Sequence, residues 1–136
     1  MIYEAKVLGA SRCTVNLFYI KRRTIRRIFR ISIQSRTFCI GRSSYSRKVK
    51  KAVEVGAKII GINNRDLESF HIDMSQSQQL RSLVPDSCIF VSESGIQTPQ
   101  DVTKLKEIGT NAVLVGEALM RAENKAQTLK LLRGEA

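Results

Sequence analysis

The sequence has one histidine, two prolines and no tryptophan in 136 residues, and between residues 11 and 51 it has no acidic side chain at all. Each shortage excludes something. With His71 alone, histidine-rich metal ligation is out of reach, and a Ser-His-Asp arrangement would have to rest on this one residue; a solvated loop position is the simpler assignment. Cys13, Cys39 and Cys88 are odd in number, widely spaced and free of paired metal-ligand spacing. They fit a reducing compartment and give neither a disulfide framework nor a zinc site. No apolar run approaches the length of a membrane span, and residues 1–9 contain Glu4 and lack a cationic stretch followed by an apolar core. A soluble cytoplasmic protein is the expectation.

What is present falls into two unlike parts. An apolar content of 43% rules out wholesale disorder, and the length suits one compact domain. The formal charge of +11 invites a nucleic-acid partner, since a basic surface draws polyanions. Yet thirteen of the 23 Lys and Arg lie in residues 11–51, and the remainder of the chain is nearly neutral. The basicity belongs to one segment.

From Lys48 onward the chain repeats a rhythm of helix, glycine, apolar run and polar loop. Residues 50–55 read as the end of a helix stopped by Gly56, followed by a strand at 58–62 and a loop with Asn63, Asn64, Arg65 and Asp66. Residues 74–84 suit a helix ended by Pro85, and 88–92 a strand buried on both faces. The next helix is the best marked: Thr98 suits its N-cap, Pro99 its first position and Asp101 its third, with Val102, Leu105 and Ile108 at helical spacing before Gly109. Residues 112–115 read as a third buried strand. One last helix is expected over 118–132, with Leu119, Ala122, Ala126, Leu129 and Leu132 on one stripe.

Strands starting near 58, 88 and 112 have the period of βα units in a parallel sheet, which leaves a doubly wound sheet or part of a (β/α)8 barrel. No G-x-G-x-x-G follows a strand, against a dinucleotide fold. Polar or glycine-bearing clusters follow all three strands, at Asn63-Asn64-Arg65, Glu93-Ser94-Gly95 and Gly116-Glu117. Those ends form the catalytic face of a TIM barrel and, after its last two strands, its usual phosphate site, so the barrel is favoured.

At these clusters the chain resembles a known family. Val55-Gly56-Ala57-Lys58-Ile59-Ile60-Gly61-Ile62-Asn63-Asn64-Arg65-Asp66-Leu67 looks like the sixth-strand segment of indole-3-glycerol-phosphate synthase, residues 91–96 like the end of its seventh strand, and residues 112–120 like its eighth. Residues 3–10 are similar to the helix before strand four, which would place the start of this chain near the middle of the full-length protein. The resemblance implies a partial TIM barrel comprising strands six to eight with their helices. It also implies ring closure of 1-(2-carboxyphenylamino)-1-deoxyribulose 5-phosphate with loss of carbon dioxide and water, a carboxy-lyase reaction of tryptophan biosynthesis that needs no metal or organic cofactor.

By the same resemblance Asn63 would orient the substrate, Arg65 would support the charged groups around it, and Glu93 and Ser94 would stand at the catalytic mouth. Gly95, Gly116 and the backbone at Glu117 would hold the substrate phosphate. Plainer roles stand beside these: turn residues at Asn63 and Gly116, a surface ion pair between Arg65 and Asp66, a capping carboxylate at Glu93. The family's catalytic lysines lie on its first and third strands, and a further catalytic glutamate follows its fifth, where this chain has no acid between Glu4 and Glu54. An inactive fragment is expected, with a separate chain carrying the amino-terminal half as a candidate partner.

Residues 11–48 match the family in length but not in character. Glutamate codons GAA read one base out of phase become arginine codons AGA, so a pair of compensating frameshifts would produce such a segment; a genuine basic helix or insertion is the plainer origin. The division expected is 1–10 as the remnant helix, 11–50 as the anomalous segment and 51–136 as the carboxy-terminal part of the barrel. Self-repulsion and the want of a clear binary pattern predict poor order or irregular packing over 11–48. Two other functions fit less of the chain. One is a polyanion-binding module on a βα scaffold, without base-specific recognition because no RNA-binding or zinc-finger motif is present. The other is a different sugar-phosphate barrel enzyme such as phosphoribosylanthranilate isomerase, which the loop at Asn63 disfavours.

Overall fold

A computed structural model describes residues 2–16, 20–34, 38–43 and 45–135. The described elements run α1 (Ile2–Val7), β1 (Arg12–Asn16), α2 (Arg22–Gln34), β2 (Phe38–Ser43), α3 (Ser46–Glu54), β3 (Ile59–Asn63), α4 (Ser75–Arg81), β4 (Ile89–Glu93), α5 (Pro99–Glu107), β5 (Ala112–Leu114), α6 (Glu117–Arg121) and α7 (Lys125–Arg133). All five strands are parallel and pair in chain order, β1-β2-β3-β4-β5. A doubly wound sheet would reverse its order at a switch point. An unreversed order with helical connections is an arc of a (β/α)8 barrel, and it includes two strands more than the three expected.

Strand parity builds the core. Val15, Ile60, Ile62 and Phe90 face the helices and pack with Ile25, Phe29, Val49, Ala52, Leu80 and Val84 in one buried cluster. Each fully buried aliphatic or aromatic side chain here contributes about 1.5–3 kcal/mol of transfer free energy. The intervening residues Gly61, Asn63, Val91 and Glu93 take the opposite parity, toward the barrel axis, and this parity delivers Asn63 and Glu93 side by side in register.

Helix α5 begins as its sequence dictates. The Thr98 hydroxyl accepts the Asp101 N–H at 3.2 Å, Asp101 Oδ2 accepts the Thr98 N–H at 2.9 Å, and Pro99 follows the cap. Gly56 and Gly109 close α3 and α5 with positive φ, 82° and 78°.

Three expectations fail. Residues 11–48 are not irregular in their described part: they form β1, α2 and β2, and α2 is amphipathic, with Ile25, Phe29 and Ser32 buried at helical spacing. Within that segment, 17–19, 35–37 and 44 lie outside the described residues. The single last helix is two, because Ala122 is extended (φ −69°, ψ 135°) and Asn124 caps a fresh helix by accepting the Gln127 N–H at 3.0 Å. Of its expected stripe only Leu132 is buried. Finally β5 is exposed, with Leu114 at 53%, because it is an edge strand with a neighbour on one side only among the described residues.

Candidate functional site

The ends of β3, β4 and β5 and the first residues of α6 surround a cleft of about 390 Å³. Six of the seven residues singled out from the sequence line it: Arg65, Glu93, Ser94, Gly95, Gly116 and Glu117. The seventh, Asn63, is buried behind them. Its Oδ1 accepts the Ser94 hydroxyl at 2.7 Å and the Arg65 backbone N–H at 3.3 Å, so it fixes two residues of the wall. Glu93 is also buried, at 1% exposure, with its carboxylate on the axis side of the sheet.

Ser94 and Gly95 both take positive φ at the mouth of the cleft. Ser94 holds φ 68°, a left-handed conformation that costs a non-glycine residue about 1 kcal/mol or more. The bond to Asn63 and one from Asn64 Nδ2 to the Ser94 carbonyl at 3.1 Å hold it there. Gly95 follows at φ 79°, and a Cβ on it would come within 2.6 Å of Ile72 Cγ2 and 2.7 Å of Met74 Sδ. The glycine is required by the packing of the loop at 66–74 against the end of β4. At Gly116 a Cβ would meet nothing within 4 Å, so packing does not demand a glycine there.

The charges are organised across the cleft. Arg65 Nη2 lies 2.6 Å from Glu117 Oε2, and Arg121 Nε lies 3.2 Å from Glu117 Oε1. The surface pair considered from the sequence, Arg65 with Asp66, is replaced by this one: Asp66 turns back into its own loop. It accepts the N–H groups of Glu68 (3.0 Å) and Ser69 (2.8 Å) and the Ser69 hydroxyl (3.0 Å), which hold its pKa down at about 2. Hydrogen bonding and charge from Arg65, then the charge of Arg121, keep the Glu117 carboxyl below its usual value. The tie to Arg65 is therefore intact at neutral pH and is lost only as pH falls through that lowered pKa. Arg65 Nε is buried without a hydrogen-bond partner among the described residues, so the guanidinium retains donor capacity beside the cleft. His71 is exposed in the loop, its carbonyl accepting the Asp66 N–H at 2.8 Å.

The sequence did not single out the polar knot beneath the site. Asn64 donates to Ser92 Oγ at 3.0 Å and accepts the Ser77 hydroxyl at 2.8 Å and the Ser77 N–H at 3.2 Å; the Ser77 and Ser92 hydroxyls lie 2.7 Å apart. Its backbone N–H reaches the Glu93 carbonyl at 2.8 Å, and its carbonyl accepts the Asp73 N–H at 2.8 Å. Ser77, Ser92 and Asn64 are all buried. One signal could have pointed to the knot: Ser92 has the helix-facing parity of an apolar strand, where a hydroxyl needs a partner.

Comparison with known proteins identifies a family. The family model of indole-3-glycerol phosphate synthase matches residues 2–132, the basic segment included. The enzyme of that name from Ruminiclostridium cellulolyticum is 40% identical over 135 residues, covering 99% of this chain and 52% of its own length. That from Lacticaseibacillus casei is 39% identical over 136 residues, covering 100% and 52%. The chain thus spans about half the length of the curated relatives it matches. Among solved structures, a 3-hexulose-6-phosphate synthase superposes with TM-score 0.76 at 17% identity over 97% of this chain and 65% of its own. A thiamine phosphate pyrophosphorylase from Pyrococcus furiosus gives 0.78 at 15% over 99% and 63%. At such identities these two establish the fold alone.

Proposed function

This chain belongs to the indole-3-glycerol phosphate synthase family, and from that membership we propose that its cleft is the phosphate-holding side of a site for 1-(2-carboxyphenylamino)-1-deoxyribulose 5-phosphate. The observation that carries the reading is the convergence of Arg65, Glu93, Ser94, Gly95, Gly116 and Glu117 on one cleft at the carboxyl ends of three adjacent strands. In this reading the backbone N–H groups at Gly95, Gly116 and Glu117 hold the phosphate. Arg65 supports the anionic groups of the substrate, Glu93 and Ser94 stand at the reacting end, and Asn63 orients them. No cofactor enters the reading. The family's reaction in this reading is the decarboxylating ring closure of tryptophan biosynthesis, carried out in the cytoplasm, and the residues present here are the phosphate side of its site.

Arg65 and Glu117 test the reading together. The Glu117 carboxylate pairs with the guanidinium that an anionic ligand would need, so the two compete for Arg65. Calorimetric titration with inorganic phosphate is expected to show weak binding, lost in Arg65→Gln and strengthened about two- to fivefold in Glu117→Gln, the range set by an exposed ion pair. Equal affinity in all three proteins would remove the cleft from the account.

The compensating frameshift over residues 11–48 stands as part of the same proposal, since it accounts for a segment that keeps the family's length and loses its acids. The coding DNA decides it. Read one base out of phase, those codons are expected to encode an apolar strand and a glutamate-rich helix, and any other product refutes the frameshift.

A further inference from the structure

Outside the cleft, the most uneven distribution of charge lies on α2. Its buried stripe is Ile25, Phe29 and Ser32. Arg23, Arg26, Arg27 and Arg30 are exposed and stand at i, i+3, i+4 and i+7, so they share one face of the helix over an axial length of about 10 Å. None of the four forms an ion pair among the described residues, although the helix carries no acid that could screen them. The next helix adds to the field: α3 packs against the same strand, β2, and carries Arg47, Lys48, Lys50 and Lys51 against the single acid Glu54. Burial, and then like charge from Lys51 and Arg47, pushes the Lys48 ammonium below its usual pKa.

A ridge of four unopposed guanidinium groups suits an anionic partner with repeated oxygens, because each planar fork matches a phosphate in two parallel hydrogen bonds. Two partner classes are disfavoured by the same helix. Its exposed face, residues 23, 24, 26, 27 and 30, has no aromatic side chain on which unpaired bases could stack, so a single strand gains little. A membrane-surface helix must insert an apolar face, and here that face is committed to the core through Ile25 at 0% and Phe29 at 5% exposure. We infer that the arginine face of α2 docks on the phosphate backbone of double-stranded nucleic acid, without regard to base sequence. This inference is independent of how the cleft is read.

Counterion release makes the test quantitative. Fluorescence anisotropy with a labelled random-sequence DNA duplex of about 20 base pairs, repeated over a series of KCl concentrations, gives the slope of log affinity against log salt. Replacing Arg23, Arg26, Arg27 and Arg30 together by Gln is expected to flatten that slope by about 3 to 4, close to one for each phosphate no longer neutralised. The corresponding fourfold Arg→Lys protein keeps the charges and is expected to keep the slope, which separates docking from any effect on folding. Replacing Lys104, Lys106, Lys125 and Lys130 by Gln removes the same net charge from exposed positions elsewhere and is expected to leave the slope unchanged. An unchanged slope in the Arg→Gln protein, an equal loss in the four-lysine control, tighter binding of a single strand than of the duplex, or tighter binding of phosphatidylserine vesicles would each overturn the inference.

Discussion

A purified chain of these 136 residues, supplied with the carboxyphenylamino-deoxyribulose phosphate, is expected to release no measurable indole-glycerol phosphate. The reaction needs a cationic acid at the ketone and a carboxylate base, and in the family these include lysines on the first and third strands and a glutamate after the fifth. Between Glu4 and Glu54 this chain has no acid to take that last role. Each missing acid or base typically removes about 10² to 10⁴ in rate, so two or more suppress turnover below detection. The exposed edge at β5 compounds the loss, since a cleft open on one side leaves its charges in water. Adding a chain with the amino-terminal strands is expected not to restore activity unless residues 11–48 are also returned to the family's pattern. Fluorescence of the indole product, followed with and without that complement, measures both; turnover by the chain alone would show that its acid and base lie among the residues present.

The largest expected loss of stability from one substitution is at Asn64. Asn64→Leu keeps the branching of the side chain and removes every bond that the Asn64 side chain makes in the knot, leaving the Ser77 N–H and the Ser94 carbonyl without the partners they have now. Unsatisfied buried groups cost about 1–3 kcal/mol each, which predicts a destabilisation of about 2–4 kcal/mol in urea unfolding. The coupling is checkable. Ser77→Ala alone removes one hydroxyl from the knot, and in the Asn64→Leu background it is expected to cost much less than it does alone. A loss below about 0.5 kcal/mol for Asn64→Leu would mean that the knot contributes little to the end of the sheet.

How far the sequence could be read depended on whether the deciding interactions were local. Helix α5 was legible because Thr98, Pro99, Asp101 and Gly109 set its boundaries within a few residues of one another. Strands β3 and β4 were legible as apolar runs, and the polar and glycine residues after the strands gave six of the residues that wall the cleft. Asn64 was passed over as a loop residue because its partners are 13 and 28 residues away, at Ser77 and Ser92. The exposure of β5 is invisible in Ala112-Val113-Leu114, since burial of a strand depends on the neighbour that pairs with its free edge. In α2 the weight of arginine obscured a regular stripe, one of whose members, Ser32, is polar and satisfies its hydroxyl within the helix on the Phe29 carbonyl at 2.8 Å. In the last helical region the stripe of small and apolar residues outweighed a cap signal at Asn124 that proved decisive.

The most direct measurement is an amide-resolved NMR titration of the whole chain with inorganic phosphate. If the cleft holds the phosphate, the shifts concentrate at Ser94, Gly95, Gly116, Glu117 and Ala118, with Arg65 responding as its tie to Glu117 is broken. Shifts confined to α2 and α3, or spread evenly over the basic surface with none at Gly95 and Gly116, would contradict the assignment of this cleft as the phosphate side of the family's site.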